Sequence, residues 1–502
     1  MAKHSAPRLK YVPNTMTALT TIPTTTLSSC LNESNRAGTT IPAVVSTRSF
    51  HSTQQRPILP VIGLVSAAVF IRYSVRALQR MEMEEEEYRQ KLLDLGIEVD
   101  DADMADADVA ERVNCSRRFI GIDLGTSGVK LSYNNALLDG DKPSVVEADD
   151  GSRSLPSYFY AGDEGSVVGK LAKKKLYDPP IGKMVFSPLN ELLIGNVASD
   201  DSVNSGLSSL LSTAVGTVVN KKITTNKEHY RAVFTVPSAI TRQQLERYEE
   251  SAESAGCGDG AIFYPDAVCA VIGGRDLGLL DNGKKGGGLV VDVGHNLCQV
   301  TLLEGNVGDD SDNGLLESSC SSSFNGHILE SSLASHLASK FQEENGIDLL
   351  IDPQAKQRLF DAAEEAITEL TKKKRVEVNV PYITATSSGA KHLKSVVSGG
   401  LLKEIVKENV DLEGEIGRLL METLTKGGKT PMDLDYILLC GGASRSPVIA
   451  EAVRGSVAML GGEAFVEDIL KVVSDGKKGG VAVEDLPAYG AVIKAAAELS
   501  SD

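Results

Sequence analysis

Short apolar runs alternate with longer amphipathic segments from residue 117 to residue 499. The apolar runs have the length of β-strands, as in FIGIDLG, RAVFTVPS, GGLVVDVG and YILLCGG. Between them, segments such as TRQQLERYEESAESAG and AKQRLFDAAEEAITELTKKK repeat apolar residues with the period of a helix. Thr241 can cap the first of these helices, and Gly256 can end it in a left-handed conformation. This alternation predicts an α/β fold.

Two of the predicted strand pairs follow one pattern. FIGIDLGTSGVKLS and LVVDVGHNLCQVTLL each read as an apolar strand, an Asp-x-Gly turn and a second strand, with Asp123 and Asp292 at equivalent points. The repeat predicts two related lobes, residues 117–290 and 291–499. Small residues in each turn let backbone N–H groups approach an anion, while the carboxylate faces a hydrated cation. Two facing turns would therefore clamp a triphosphate and its Mg²⁺.

The N-terminal part of the chain divides into three segments of different composition. Residues 1–55 are rich in Ser and Thr and poor in acids, which is typical of an organelle transit peptide, although a disordered tail has the same composition. Residues 57–80 contain the uncharged run PILPVIGLVSAAVFI, which predicts either a membrane anchor or a buried or signal-type helix. Residues 81–116 predict an acidic helix and linker. We therefore expect a membrane-anchored mitochondrial protein, with the endoplasmic reticulum membrane as the alternative.

The overall composition excludes several classes of protein. The 502 residues include 51 basic and 68 acidic side chains, giving a formal charge of −17, so nucleic acid is not an expected partner. The seven cysteines lie far apart, and no His spacing along the chain suits zinc, which argues against a disulfide scaffold and a structural zinc site. The 47 glycines and the lack of Trp favour phosphate-binding loops over aromatic-lined pockets.

Six motifs, in their order along the chain, resemble the nucleotide-binding domain of the 70-kDa heat-shock chaperone family of the actin-like ATPase superfamily. FIGIDLGTSGVK is similar to the family's first phosphate loop, and LPSYFY and AVFTVPSAITRQQLERYEESAESAG to the segments after it. GGLVVDVGHNLCQVTLLEG resembles the second phosphate loop, YILLCGGASRSPVIAEAV the adenosine loop and LPAYGAVIKAAAEL the closing helix. The resemblance implies a two-lobed actin-like ATPase fold with duplicated β-sheet subdomains flanked by helices. It also implies ATP or ADP with Mg²⁺ as ligands, and chaperones or exchange factors as partners.

The resemblance further implies which side chains hold the nucleotide and its metal. Asp123 and Asp292 match the catalytic carboxylates that orient the water around Mg²⁺. Thr126 and Ser127 would contact phosphate oxygens, and the guanidinium plane of Arg445 would lie on the base. The full set of implied nucleotide contacts is Gly125, Thr126, Ser127, Gly294, Glu364, Thr371, Gly441, Gly442, Ser444 and Arg445.

The second phosphate loop departs from the family's pattern. His295 and Asn296 stand where the family has glycines, so their side chains would crowd a ligand that should meet backbone amides. Leu297 replaces the phosphate-contacting Thr, and Gln299 replaces the second catalytic Asp. This loop is therefore expected to support catalysis poorly.

Other departures affect the catalytic cation and the base. The position of the family's catalytic Lys falls on Glu191 or on Leu189, depending on which flanking residues are used for counting, and neither is basic. Tyr264 replaces an acid, and Ile367 and Thr368 replace the Lys and Arg that cover one face of the base. Nucleotide binding is therefore expected to be weaker than in the family.

We expect a protein of this family that binds Mg-ATP or Mg-ADP, hydrolyses ATP weakly or not at all, and regulates protein folding. Because the chain ends at Asp502, we also expect no peptide-binding domain. Two alternatives stay open. One is an active chaperone ATPase, in which Lys183 or His295 supplies the positive charge. The other is a scaffold that binds chaperone partners without nucleotide.

Overall fold

The computed structural model describes residues 118–134, 142–147, 151–162, 165–177, 185–195, 198–222, 230–257, 261–281, 287–305, 307, 314–387, 389–471, 477–478 and 480–501. The predicted transit peptide, membrane anchor and acidic linker lie outside these residues, and so does Lys183. Within the described part of the chain, no helix has the length and hydrophobicity that crossing a bilayer requires.

The first lobe is built on a mixed β-sheet with helices against it. Its strands are β1 (Phe119–Leu124), β2 (Gly128–Tyr133), β3 (Ser144–Val145), β4 (Ser154–Pro156), β5 (Phe159–Gly162), β6 (Gly165–Val168), β7 (Val185–Phe186), β8 (Arg231–Val236) and β9 (Ile262–Pro265). Its helices are α1 (Lys170–Lys173), α2 (Pro188–Ile194), α3 (Asp200–Lys222), α4 (Arg242–Ser254) and α5 (Asp266–Asp276). The main sheet has the order β3-β2-β1-β8-β9 with β4 against β2, and β6-β5-β7 form a smaller sheet.

The second lobe repeats this arrangement. Its strands are β10 (Gly287–Val293), β11 (Cys298–Leu303), β12 (Leu315–Ser321), β13 (Arg375–Thr386), β14 (Gly389–Ser398), β15 (Leu434–Cys440), β16 (Leu470–Lys471), β17 (Lys477–Lys478) and β18 (Val481–Ala482). Its helices, with the last helix of the chain, are α6 (Gly326–Asn345), α7 (Pro353–Leu370), α8 (Gly399–Asn409), α9 (Leu412–Lys426), α10 (Pro447–Gly461), α11 (Glu463–Ile469) and α12 (Leu486–Ser501). The main sheet has the order β12-β11-β10-β15-β16.

The register of the two sheets confirms the predicted duplication. β1 is antiparallel to β2 and parallel to β8, with Asp123 opposite Lys130. β10 is antiparallel to β11 and parallel to β15, with Asp292 opposite Gln299. Each lobe buries its own apolar core beneath its sheet. The α/β class and the two-lobed fold predicted from the sequence are therefore confirmed.

The predicted ends of the helix α4 are also observed. The Thr241 side chain accepts a hydrogen bond from the Gln244 backbone N–H, and the Gln244 side-chain oxygen accepts one from the Thr241 backbone N–H. This reciprocal cap satisfies two amides that the first helical turn leaves unpaired. Gly256 follows the helix with a φ of 80°. The local sequence was sufficient to predict this cap, because both of its hydrogen bonds join residues within the first turn of the helix.

The helices α5 and α12 pack between the two sheets. Ala491 and Val492 of α12 join the core beneath β1 and β8, while Leu486 and Tyr489 join the core behind the second sheet. β10 begins at Gly287, shortly before the predicted boundary between residues 290 and 291, and the last helix of the chain contacts the first sheet.

Close backbone contact between α5 and α12 requires glycine. A Cβ at Gly490 would overlap the carbonyl oxygen of Cys269 and lie 2.8 Å from the Gly273 nitrogen. We therefore expect Gly490→Ala to lower the free energy of unfolding by about 3 kcal/mol or more, since two helix backbones must separate. The measurement is denaturant unfolding followed by circular dichroism.

Gly216→Ala in α3 is the matched control. A Cβ at Gly216 meets nothing within 4 Å, so alanine should stabilise this helix by about 0.5–1 kcal/mol through the lower entropy of its unfolded state. Equal stability of the two variants would contradict the packing described here.

Candidate functional site

A cavity of about 260 Å³ opens between the two sheets, where their central strands end. It is lined by the turn after β1, the turn after β10, one face of α7 and the loop after β15. The sequence-predicted residues that line it are Asp123, Gly125, Thr126, Ser127, Asp292, Gly294, Glu364, Thr371, Gly441, Gly442 and Arg445. The fold thus brings to one place residues that are hundreds of positions apart in the chain.

The two Asp-x-Gly turns have matching geometry and contact each other. The Gly125 N–H donates to the Gly128 carbonyl at 3.1 Å, and the Gly294 N–H donates to the Leu297 carbonyl at 2.9 Å. The Asn296 N–H donates to the buried Thr126 hydroxyl at 3.3 Å. Because this bond joins the two lobes, the turns are held facing one another across the cavity.

Three aspartates from both lobes converge on the cavity. Asp123 accepts a hydrogen bond from the Thr235 hydroxyl at 2.6 Å, and burial raises its pKa to about 6. Burial also raises the pKa of Asp292 well above its usual range, with repulsion from Asp266 and Asp123 adding to the effect. Burial and mutual repulsion raise the pKa of such carboxyl groups because they make the ionised forms unfavourable. A cation placed between the carboxylates stabilises the ionised forms.

Asp266 is a cavity residue that sequence reasoning missed. It begins α5 and accepts hydrogen bonds from the Ser238 hydroxyl at 2.6 Å and from the Gln299 amide at 3.0 Å. The other end of Gln299 accepts from the Ala239 N–H at 3.1 Å. The resemblance implies a carboxylate at the position of Gln299. In the structure, the carboxylate of Asp266 lies next to this glutamine. The available signal was an acid directly after a predicted strand, at the start of a helix.

Lys130 is a second cavity residue that sequence reasoning missed. It lies opposite Asp123 in the β1–β2 pair and lines the cavity. Directly paired residues of neighbouring strands have their side chains on the same face of the sheet. The hairpin register of FIGIDLGTSGVK could have placed this ammonium group beside the carboxylate.

The two residues onto which the expected catalytic Lys could fall are placed differently. Leu189, on α2, is buried and lines the cavity. Glu191 is instead placed so that its carboxylate accepts a hydrogen bond from the Ala198 N–H at 3.3 Å. Tyr264 is directed to α12, where its hydroxyl donates to Glu498 at 2.5 Å. Of these two candidate positions for the expected Lys, Leu189 is therefore the one whose side chain lines the cavity.

The loop after β15 approaches the second turn closely. Gly441 has a φ of 87°, and a Cβ there would overlap a carboxylate oxygen of Asp292. Ser444, an implied nucleotide contact, is not among the residues that line the cavity. It is buried, and its hydroxyl donates to the Gly441 carbonyl at 2.6 Å, because the short helical turn of this loop folds the side chain back on the backbone. Arg445 forms an ion pair with Glu484 at 2.7 Å.

The α7 side of the cavity carries a contact between the lobes. Glu364 forms an ion pair with Lys173 of the first lobe at 2.5 Å, so its carboxylate is already engaged. Thr371 donates its hydroxyl to the Thr368 carbonyl at 2.7 Å. Ile367 and Thr368 line this wall, where the resemblance expects two cations.

The protein-family comparison agrees with this geometry. The family model described as Hsp70 protein matches residues 119–259 and 270–460. The matched segments make up more than half of the chain. They contain both Asp-x-Gly turns, α7 and the loop after β15.

The raised pKa of Asp123 predicts how stability depends on pH. The group titrates near pH 6 in the folded state and near 3.8 in the unfolded state, so its ionisation destabilises the fold as pH rises through this interval. Without Mg²⁺ or nucleotide, Asp123→Asn should therefore melt several degrees above the wild type near pH 7. The difference should shrink towards about pH 4, where the wild-type carboxyl is protonated in the folded state.

The measurement is thermal unfolding in EDTA across this pH range. Asp468→Asn is the control, because Asp468 is exposed on α11 and should give no such pH-dependent difference. A wild-type protein more stable than Asp123→Asn at pH 7 would show that the Asp123 carboxylate is not destabilised by burial.

Proposed function

The chain belongs to the Hsp70 family, and from that premise we propose that it binds Mg-ATP or Mg-ADP between its lobes, with weak or absent hydrolysis. Hsp70 proteins are ATP-binding chaperones, and ATP or ADP with Mg²⁺ is their general ligand. The finer proposal is that this chain uses nucleotide to regulate chaperone partners. The observation that carries it is the convergence of Asp123, Asp266 and Asp292 beside two joined turns.

The cavity residues fit a magnesium–nucleotide complex. Mg²⁺ takes oxygen ligands and retains several waters, and the three carboxylates offer oxygens at the cavity wall. Gly441 leaves room beside Asp292 that any side chain would fill. When bound, Mg²⁺ would neutralise phosphate charge. The chain's own part is to orient that metal's waters through Asp123 and Asp292, and to hold phosphate oxygens with Thr126 and the turn amides.

Weak hydrolysis is supported by the apolar side chains at two positions that need polar ones. Leu297 and Leu189 both line the cavity, and neither can donate a hydrogen bond to charge that develops in a transition state. One such contact is typically worth about 3 kcal/mol, or two decades of rate. Lys130 does not restore the loss. Its charge attracts ground-state and transition-state phosphate alike, which strengthens binding without raising turnover.

Nucleotide titration and phosphate release test this function on the full chain. We expect Mg-ATP and Mg-ADP to raise the melting temperature, because a ligand that binds only the folded state stabilises it. We expect phosphate release at less than about one hundredth of the rate of an active Hsp70 ATPase domain.

The two other outcomes separate the alternatives. A melting temperature unchanged by nucleotide would support the nucleotide-independent scaffold. Metal-dependent phosphate release at the rate of an active family member would support the working chaperone ATPase.

Lys130 generates a separate prediction about affinity. Lys130→Gln should weaken ATP binding by about tenfold or more, with a smaller loss for AMP, because the ammonium would contact the outer phosphates. Lys142→Gln is the control, since Lys142 is exposed and pairs with Asp276. Fluorescence titration with each nucleotide measures the effect. Equal losses for ATP and AMP would contradict the phosphate contact.

For localisation, the proposal rests on sequence composition. Residues 1–80 support a mitochondrial, membrane-anchored protein, with the endoplasmic reticulum membrane as the alternative. Fractionation followed by protease protection distinguishes the two membranes and shows on which side the nucleotide-binding lobes lie.

A further inference from the structure

Two histidines and a glutamate form a compact cluster on the second-lobe wall of the cavity. His295 lies in the turn after β10, and His327 and Glu330 lie in the first turns of α6. One nitrogen or oxygen atom from each lies within 4.8 Å of the other two. His295 Nδ1 is 3.4 Å from Glu330 Oε1, and His327 Nδ1 is 3.8 Å from Glu330 Oε2.

The backbone that carries these side chains is fixed by hydrogen bonds. The His327 N–H donates to the His295 carbonyl at 2.8 Å, and the Gly326 N–H donates to the Gly294 carbonyl at 2.9 Å. The Asn325 amide donates to the Asn296 carbonyl at 3.1 Å. The turn and the start of the helix are therefore tied together, so the cluster is preorganised and little backbone entropy is lost when a ligand binds.

The surroundings favour a cation at this point. The side chains of His295 and Glu330 are mostly shielded, with 16% and 18% of their surface exposed. An aromatic wall covers one side, because Phe360 stacks on the His327 ring and Tyr177 packs on Phe360. The Glu330 carboxylate, which is ionised at neutral pH as a glutamate ordinarily is, lies against both imidazoles. A carboxylate in this position disfavours an anion such as phosphate.

We propose that His295, His327 and Glu330 form a binding site for a divalent transition metal, with Zn²⁺ as the expected ion. Two imidazoles and one carboxylate are a donor set that suits zinc, whereas Mg²⁺ takes oxygen ligands. Ligand atoms in a tetrahedral zinc site lie about 3.3 Å apart, given bonds of about 2.0 Å. The observed separations of 3.4 and 3.8 Å between the imidazole nitrogens and the Glu330 oxygens are close to this spacing.

The fourth coordination position of this site faces the cavity. Both His295 and Glu330 line the cavity, so a metal held by them stays open to a water or another small ligand on that side. All three protein ligands come from the second lobe. The site therefore depends neither on nucleotide nor on the proposed function.

The experiment is a zinc titration of the full chain, first stripped with a chelator, in the absence of nucleotide. Competition with a fluorescent zinc indicator should show one ion bound per chain, with an accompanying rise in melting temperature. Co²⁺ in place of Zn²⁺ should give the intense visible absorption of a tetrahedral or five-coordinate site.

Two variants and a control make the test specific. Glu330→Gln and His295→Gly, which restores the glycine found in the family, should each weaken zinc binding by about a hundredfold or more. His336→Ala on the same helix α6 should bind zinc as the wild type does, because His336 lies outside the cluster. Circular dichroism verifies that each variant is folded.

The inference is overturned if the wild type takes up no stoichiometric zinc, or if folded Glu330→Gln and His295→Gly both bind it with wild-type affinity. In that case the cluster is a hydrogen-bonded brace between the turn and α6. A chain that binds nucleotide but no zinc would reject this site and leave the proposed function standing. A chain that binds zinc but no nucleotide would support this site and reject the proposed function.

Discussion

The burial of like-charged carboxylates from both lobes around one cavity is the constraint on which the rest of the structure depends. Asp123, Asp266 and Asp292 repel one another, and burial makes their ionised forms unfavourable. Hydrogen bonds from Thr235, Ser238 and Gln299 offset only part of this cost. Under the proposed function, a cation held between the lobes would offset the remaining cost.

Keeping these carboxylates in place requires the lobes to meet at a fixed distance. The close contact of α5 and α12, which Gly490 permits, joins two helices whose side chains enter the cores behind both sheets. Because Asp266 is the first residue of α5, the position of this helix also sets the position of a cavity carboxylate. On the open side, the bond from Asn296 to Thr126 and the ion pair between Lys173 and Glu364 connect the lobes directly.

The cavity differs from the family's pattern by rearrangement as well as by loss. The carboxylate missing at Gln299 has a counterpart in Asp266, which is hydrogen-bonded to that same glutamine. Leu189 lies where the resemblance implies a cation, and Lys130 of the same lobe also lines the cavity. Under the proposed function, this changed set of side chains would hold metal and phosphate. Among the described residues that line the cavity, Leu297 offers no polar contact to a transition state, which is why the proposal is binding with weak turnover.

Sequence by itself determined the features that depend on residues close together in the chain. The alternation of strands and helices, the repeated Asp-x-Gly hairpin, and the caps at Thr241 and Gly256 follow from period and local hydrogen bonding. Tertiary structure alone decided which distant residues meet. It placed Asp266 against Gln299, folded Ser444 away from the cavity, and brought His295 to Glu330. These contacts depend on how the two sheets and the helices between them pack. A short-range sequence pattern carries no information on whether two residues far apart in the chain lie close together in space.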